Sequence, residues 1–198
     1  QHYAELVVLD NGQQLTILNT TNSSMTFDKA IVNADSTLPQ DLTINVGTGD
    51  VMFTGVVGED AVIATVKNGA LGDLIINSEG VTTFVSTVDV ASLKTDIDTV
   101  SIDASASTNQ VIIQGGRITT TGEQHYAELV VLDNVGQLTI LNTTNSDVRF
   151  DKAIINADRT MPQDLTINAG IGDVVFTGVV GEDNTGTNGA LGHLVINS

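Results

Sequence analysis

The chain contains no cysteine and no tryptophan, and only 4% of its residues are aromatic. Without cysteine there is no disulfide, no thiolate metal site and no cysteine nucleophile, although the compartment stays open. So few rings argue against a bulky centre and for thin, evenly stacked layers of Val, Ile and Leu. Basic residues are scarce too: 7 Lys and Arg stand against 24 Asp and Glu, a formal charge of −17. A chain so charged, with no cluster of Lys or Arg, is repelled by phosphate, so nucleic acid and anionic membrane are poor partners. The acid excess serves solubility and attracts divalent cations. No apolar run reaches the roughly 18 to 20 residues of a membrane span, which argues against membrane insertion. The first residues carry no basic and apolar leader, so any export signal is expected outside this segment. Helical periodicity is also missing. Val88 to Thr99 comes nearest, and its β-branched content speaks against a helix.

What the chain has in abundance is repetition. Residues 124–183 match residues 1–60 without a gap, 49 of the 60 aligned positions being identical, at a spacing of 123 residues. Beyond Asp60 the second copy loses three residues, and the match resumes at the Asn-Gly-Ala-Leu-Gly segment. Residues 1–123 therefore read as a first long repeat, and 124–198 as a second, partial copy continuing the same structure. An enzyme gains nothing from a tandem duplicate of its active site, whereas a spacer or fibre grows by copying itself. Repetition points to a structural material.

A shorter unit lies within the long one. Leu-x-Ile begins at Leu15, Leu42, Leu74, Leu138 and Leu165, with Val100-x-Ile102 a conservative version and Leu194 opening another. Eight to twelve residues later comes a second apolar alternation, as at Met25/Phe27, Val51/Phe53 and Val174/Phe176, and then a third short apolar stretch. Each unit thus reads strand, turn, strand, turn, strand, with Gly-rich turns between. Period-two alternation places Leu15 and Ile17 on the core side and Thr16 in water.

Three strands in about 25 to 30 residues suit one coil of a parallel β-helix, a β-solenoid whose equivalent strands stack ~4.8 Å apart. The expected fold is therefore all-β, with every Leu-x-Ile pair above the previous one and every Phe above a Phe. Asn45, Asn77, Asp103, Asn168 and Asn197 each sit three residues after a unit start and are placed to form a ladder at a turn. The units at Leu15 and Leu138 depart, with their Asn one residue later. Ile118 to Leu132 supplies an extra coil, giving about eight coils and a rod of roughly 40 Å. The alternative is a tandem of immunoglobulin-like β-sandwiches, for which 123 residues is also a plausible period. The shared motif favours the solenoid, since sandwich strands need not resemble one another.

Ile118 to Leu132, ITTTGEQHYAELVVL, resembles the TTTG-x-Q-x-Y-x-x-x-V-x-L pattern of giant repetitive bacterial surface proteins. Leu165 to Gly181, LTINAGIGDVVFTGVVG, and Leu74 to Val88 are similar to the accompanying LTVN…G-DVTF-x-G-x-VG units. Such regions belong to filamentous-haemagglutinin-like and other large adhesins. The resemblance covers nearly the whole chain and implies a rod-like protein of the bacterial cell surface or extracellular space, serving adhesion or matrix formation without catalytic residues. Its expected partners are further copies, by end-to-end association into a fibre or continuation in a longer array, and a surface glycan or protein.

Few residues could carry chemistry. The three histidines, His2, His125 and His193, show no metal-ligand spacing and read as surface or turn residues. No catalytic or cofactor-binding residue is expected, with calcium the one ion to consider. Gly-x-Gly-Asp at 47–50 and 170–173 is like a shortened calcium-binding turn, and Glu-Asp pairs follow within ten residues. The candidate calcium ligands are thus Asp50, Glu59, Asp60, Asp173, Glu182 and Asp183, against the plainer reading of a Gly-rich turn with an exposed Asp. A calcium- or glycan-binding surface module is the alternative function. A glycan-cleaving site would need convergent acids with a base; Asp96, Asp98 and Asp103 are the densest acids, with only Lys94 close in sequence. The main expectation is a non-catalytic structural repeat.

Overall fold

The computed structural model describes residues 1–12, 14–58, 69–95, 109–134, 138–181 and 189–198. Among these there is no helix, and the fold is all-β. Strands β1 (His2–Tyr3), β2 (Val7–Leu9), β3 (Thr16–Asn19), β4 (Met25–Phe27), β5 (Ile31–Asn33), β6 (Leu42–Gly47) and β7 (Val51–Phe53) belong to the first copy. There follow β8 (Leu71–Ser78), β9 (Val81–Phe84), β10 (Val88–Thr95), β11 (Gln110–Ile113) and β12 (Arg117–Thr120). The second copy supplies β13 (Gln124–Tyr126), β14 (Leu129–Leu132), β15 (Leu138–Asn142), β16 (Val148–Phe150), β17 (Ile154–Asn156), β18 (Asp164–Asn168), β19 (Val174–Phe176) and β20 (Leu194–Asn197). The stretch Val88 to Thr99, read as strand, is β10 as far as Thr95; the rest of it lies outside the described residues, as does Val100-x-Ile102.

Strand-to-strand pairing is parallel throughout and forms three rows. Row A runs β1-β4-β7-β9-β11-β14-β17. Row B runs β2-β5, then through single bridges at Val57 to the start of β10, then β12-β15-β18-β20. Row C runs β3-β6-β8, the end of β10, then β13-β16-β19. The eight residues of β10 serve two rows: Val88 to Val90 pair with β12, and Leu93 to Thr95 with β13. The chain visits A, B and C in that order and returns to A one strand further on. Arg117 to Leu132 makes one such pass with β12, β13 and β14, the extra pass expected from the sequence. Antiparallel contact occurs among the described residues at two bridges, Asn33 to Gly69 and Asn156 to Gly189.

The inward side chains of the three rows form one apolar cluster. It holds Phe27, Ile44, Phe53, Leu74, Val90, Ile113, Leu132 and Leu165, each fully or almost fully buried. Burial alternates as strands require: Leu42, Ile44 and Val46 are inside, while Thr43 and Asn45 are not. All seven aromatic residues of the chain stand in two stacks. Tyr3, Phe27, Phe53 and Phe84 follow one another in row A with ring centroids 4.8, 5.2 and 5.1 Å apart. Tyr126, Phe150 and Phe176 follow in row C at 5.1 and 5.3 Å. The planes lie within 10° of parallel, which at the strand spacing gives offset stacking.

Two expectations need correction. The Phe residues do not make one column, because Tyr126 lies beside Thr95 of row C and not above Phe84 of row A. Nor do the Leu-x-Ile pairs: Leu42 and Leu74 pair in row C, but Leu138 and Leu165 belong to row B. Identical sequence occupies different rows in the two copies.

The second correction concerns Leu15 and Ile17, which are 50% and 51% exposed. In the second copy Leu138 is exposed while Thr139 and Leu141 are fully buried. The register explains the inversion. Thr16 pairs with Leu42 and Leu18 with Ile44, so Asn19 stands opposite Asn45. The amide of Asn45 donates to Asn19 Oδ1 at 2.7 Å, and that of Asn77 to Asn45 Oδ1 at 2.8 Å. Asn142, Asn168 and Asn197 repeat this in row B, with both bonds at 2.7 Å. A slip of one residue reverses every side chain of a strand. Here alignment of the amides wins, and Leu15 is turned outward.

Candidate functional site

The Gly-x-Gly-Asp turns owe their glycines to close stacking of successive turns. Gly47 has a φ of 60° and lies against the Asn22 side chain, while a Cβ on Gly49 would run into the Ser23 backbone. Gly170 and Gly172 sit the same way against Asn145 and Ser146. The aspartates are occupied in the same turns. Asp50 Oδ1 accepts the Val81 N–H at 2.8 Å. Asp173 donates its own N–H to Asp147 Oδ1, also at 2.8 Å. The carboxylates of Asp50 and Asp147 thus each accept a backbone N–H from the neighbouring turn.

Of the six candidate calcium ligands, Asp50 and Asp173 are described, and the structure does not bring them together. Asp50 enters row A at β7, whereas Asp173 enters row C at β19. Glu59, Asp60, Glu182 and Asp183 lie outside the described residues, as do Asp96, Asp98 and Asp103. Among the described residues, no group of three or more His, Asp or Glu side chains is placed to hold a metal ion. Lys94 makes an ion pair with Glu123 at 3.5 Å. No helix of the described residues is long and apolar enough to cross a membrane.

The histidines have partners that spacing alone did not reveal. His2 Nε2 lies 2.7 Å from Asp28, His125 Nε2 lies 2.8 Å from Asp151, and His193 Nδ1 lies 3.1 Å from Asp164. Each bond joins residues on or beside neighbouring strands of a row, 26 to 29 residues apart in sequence. That separation, one pass through the rows, was the available signal. Asp151 is further held by Arg149 Nε at 2.6 Å. Partial burial raises its pKa, but hydrogen bonds from His125 and Arg149 and their charges outweigh this and hold the carboxyl below its ordinary range.

A second copied feature is the corner after β5 and β17. Asn33 Nδ2 donates to the carbonyls of Asp35 and Leu38, and Asn156 Nδ2 to those of Asp158 and Met161. Asp35 Oδ1 takes both the N–H and the hydroxyl of Thr37, at 2.8 and 2.6 Å. Gln40, 2% exposed, accepts the Asn11 N–H at 2.8 Å, as Gln163 accepts that of Asn134 at 2.7 Å. Inside the core, Tyr126 donates its hydroxyl to Gln124 at 3.0 Å, and Gln124 donates onward to the Asn142 carbonyl at 2.8 Å. Burial pushes this phenol far above its usual range, so it stays neutral and serves as a hydrogen-bond donor. Each of these polar groups ties turns or strands together. Compared with known proteins, the chain matches no family model, no curated protein and no solved structure.

Proposed function

We propose that the chain is a parallel β-helix of three short strands per coil, and that it serves as a non-catalytic structural segment of an extracellular fibre, matrix protein or adhesin stalk. The observation that supports this most is the stacking of like on like from pass to pass. Seven rings stand in two files, and six asparagine amides in two ladders, each linked by hydrogen bonds of 2.7 to 2.8 Å. Such contacts connect each coil only to its neighbours, so coils can be added without redesign of a central core. A sequence that copies 60 residues almost unchanged is suited to that use. The net charge of −17 keeps such rods apart from one another except where a specific contact joins them.

Solution scattering and electron microscopy on a series with one, two and three 123-residue copies test the architecture. Length should grow by about 22 Å per copy at constant cross-section. A compact particle whose width grows with copy number would remove the β-helix. Antibody against the segment should label intact, unpermeabilised cells that make the protein; signal only after permeabilisation would remove the extracellular role.

A further inference from the structure

The two copies do not face the same way. Strands β1 and β13 carry the same Gln-His-Tyr, yet β1 pairs with β4 in row A and β13 lies between β10 and β16 in row C. The same displacement holds along the whole duplicate. Val7 to Leu9 is in row B, and Val130 to Leu132 in row A. Thr16 to Asn19 is in row C, and Thr139 to Asn142 in row B. From β1 to β13 the chain makes four full passes through the rows and two thirds of a fifth. The 123-residue period is therefore not a whole number of passes.

We infer that the repeat length is a phasing device: each copy is turned by one third of a revolution about the column, so that the two copies present the corresponding wall in different directions. This rests on the β-helix reading above. The surface in question is the outer side of the wall opened by Gln-His-Tyr. In the first copy it presents His2, Thr26 and Met52, side by side on β1, β4 and β7. In the second it presents His125, Arg149 and Val175 on β13, β16 and β19, in another row. The asparagine ladder and the corner at Asn33 or Asn156 turn with it. Further copies of the same length would continue the rotation, and three would complete a revolution over about 67 Å. A flat partner could then touch the same wall only at every third copy.

The inference depends on what lies beside His125, and the absence of native cysteine makes labelling clean. Paired spin labels at Lys94→Cys and His125→Cys occupy register neighbours and should show strong dipolar broadening. Labels at Ile112→Cys and His125→Cys lie in different rows and should show none. Thr26→Cys with Met52→Cys is the control, neighbours within the first copy whatever the phase. Broadening at 112/125 and not at 94/125 would put the copies in phase and overturn the proposal while the column stands. Loss of broadening in the control would remove the column itself, and the phasing with it. An intact control with neither test pair broadened also overturns the phasing.

Discussion

The first copy, residues 1–60, and the second, residues 124–183, form a natural experiment in which one sequence is folded twice on different walls. Much that is local is reproduced. Tyr3 and Tyr126 each open a ring stack, Gln1 and Gln124 each donate to the asparagine of a ladder, and Asn33 and Asn156 each close the same corner. What is not reproduced is the row, because the row depends on how many strands came before. The residues thus specify how to stack on the preceding pass, and the intervening segment specifies where. Local identity and global position are separate kinds of information, carried by separate parts of the chain.

The strongest way to break the comparison is to remove equivalent rings. Phe53 is 1% exposed with a ring on each side, Phe27 and Phe84. Phe176 has one ring neighbour, Phe150, and is only partly buried. Phe53→Ala should therefore cost about 3 to 5 kcal/mol in urea unfolding. Phe176→Ala should cost no more than about 2 kcal/mol in this chain. Equal losses would mean that sequence position, and not surroundings, sets the value of the ring. A similar contrast applies to leucines: Leu42→Ala, at a buried site, should cost about 2 to 5 kcal/mol. Leu15→Ala, at an exposed one, should stay within about 0.5 kcal/mol by the same measurement.

Much of the strand content was legible in the residues, and the reasons for the failures are physical. Period-two alternation located β4, β6, β7, β16 and β19, since a strand with one buried face must alternate. It assigned the wrong face to Leu15 and Leu138 because both faces of those strands carry apolar residues, leaving the pattern unable to choose. The amide ladder chose, and its sign was present in the sequence as an asparagine one residue late. Row assignment was beyond reach. A strand count across residues 61–123 was needed, and there β8 and β10 each reach two rows. The glycines of the Gly-x-Gly-Asp segments answer to the close approach of one backbone turn to the next. The His–Asp pairs are contacts between passes, and they become visible only once the length of a pass is known.

Asparagine substitutions sharpen the comparison at smaller cost. Asn45→Ala removes one bond to Asn19 and one from Asn77, and Asn168→Ala removes the corresponding bonds to Asn142 and from Asn197. Each should cost about 1 to 2 kcal/mol in chemical denaturation. Because the two ladders stand in different rows, the double substitution should be additive within about 0.5 kcal/mol. Marked coupling would mean that the ladders are continuous, and with it that the copies share a row.

The smallest effect concerns Thr26 and Arg149, one of three aligned pairs at which the copies differ in charge, with Ser24/Asp147 and Ser36/Arg159. Asp151 faces His125 and Arg149, while its counterpart Asp28 faces His2 with Thr26 in the arginine's position. Its pKa is lowered in the folded chain, against about 3.9 in an unfolded one. A depressed carboxylate stabilises above its unfolded pKa and loses that contribution as pH falls through the folded value, so the window lies below about pH 4. Asp151→Asn should therefore lower the melting temperature at pH 7 and narrow the difference from the parent at pH 3. Asp28→Asn should lower it less at pH 7, since that pair is more exposed and lacks the guanidinium. If both substitutions cost the same at pH 7, Arg149 adds nothing to its copy, and the two walls are electrostatically alike despite the change of residue.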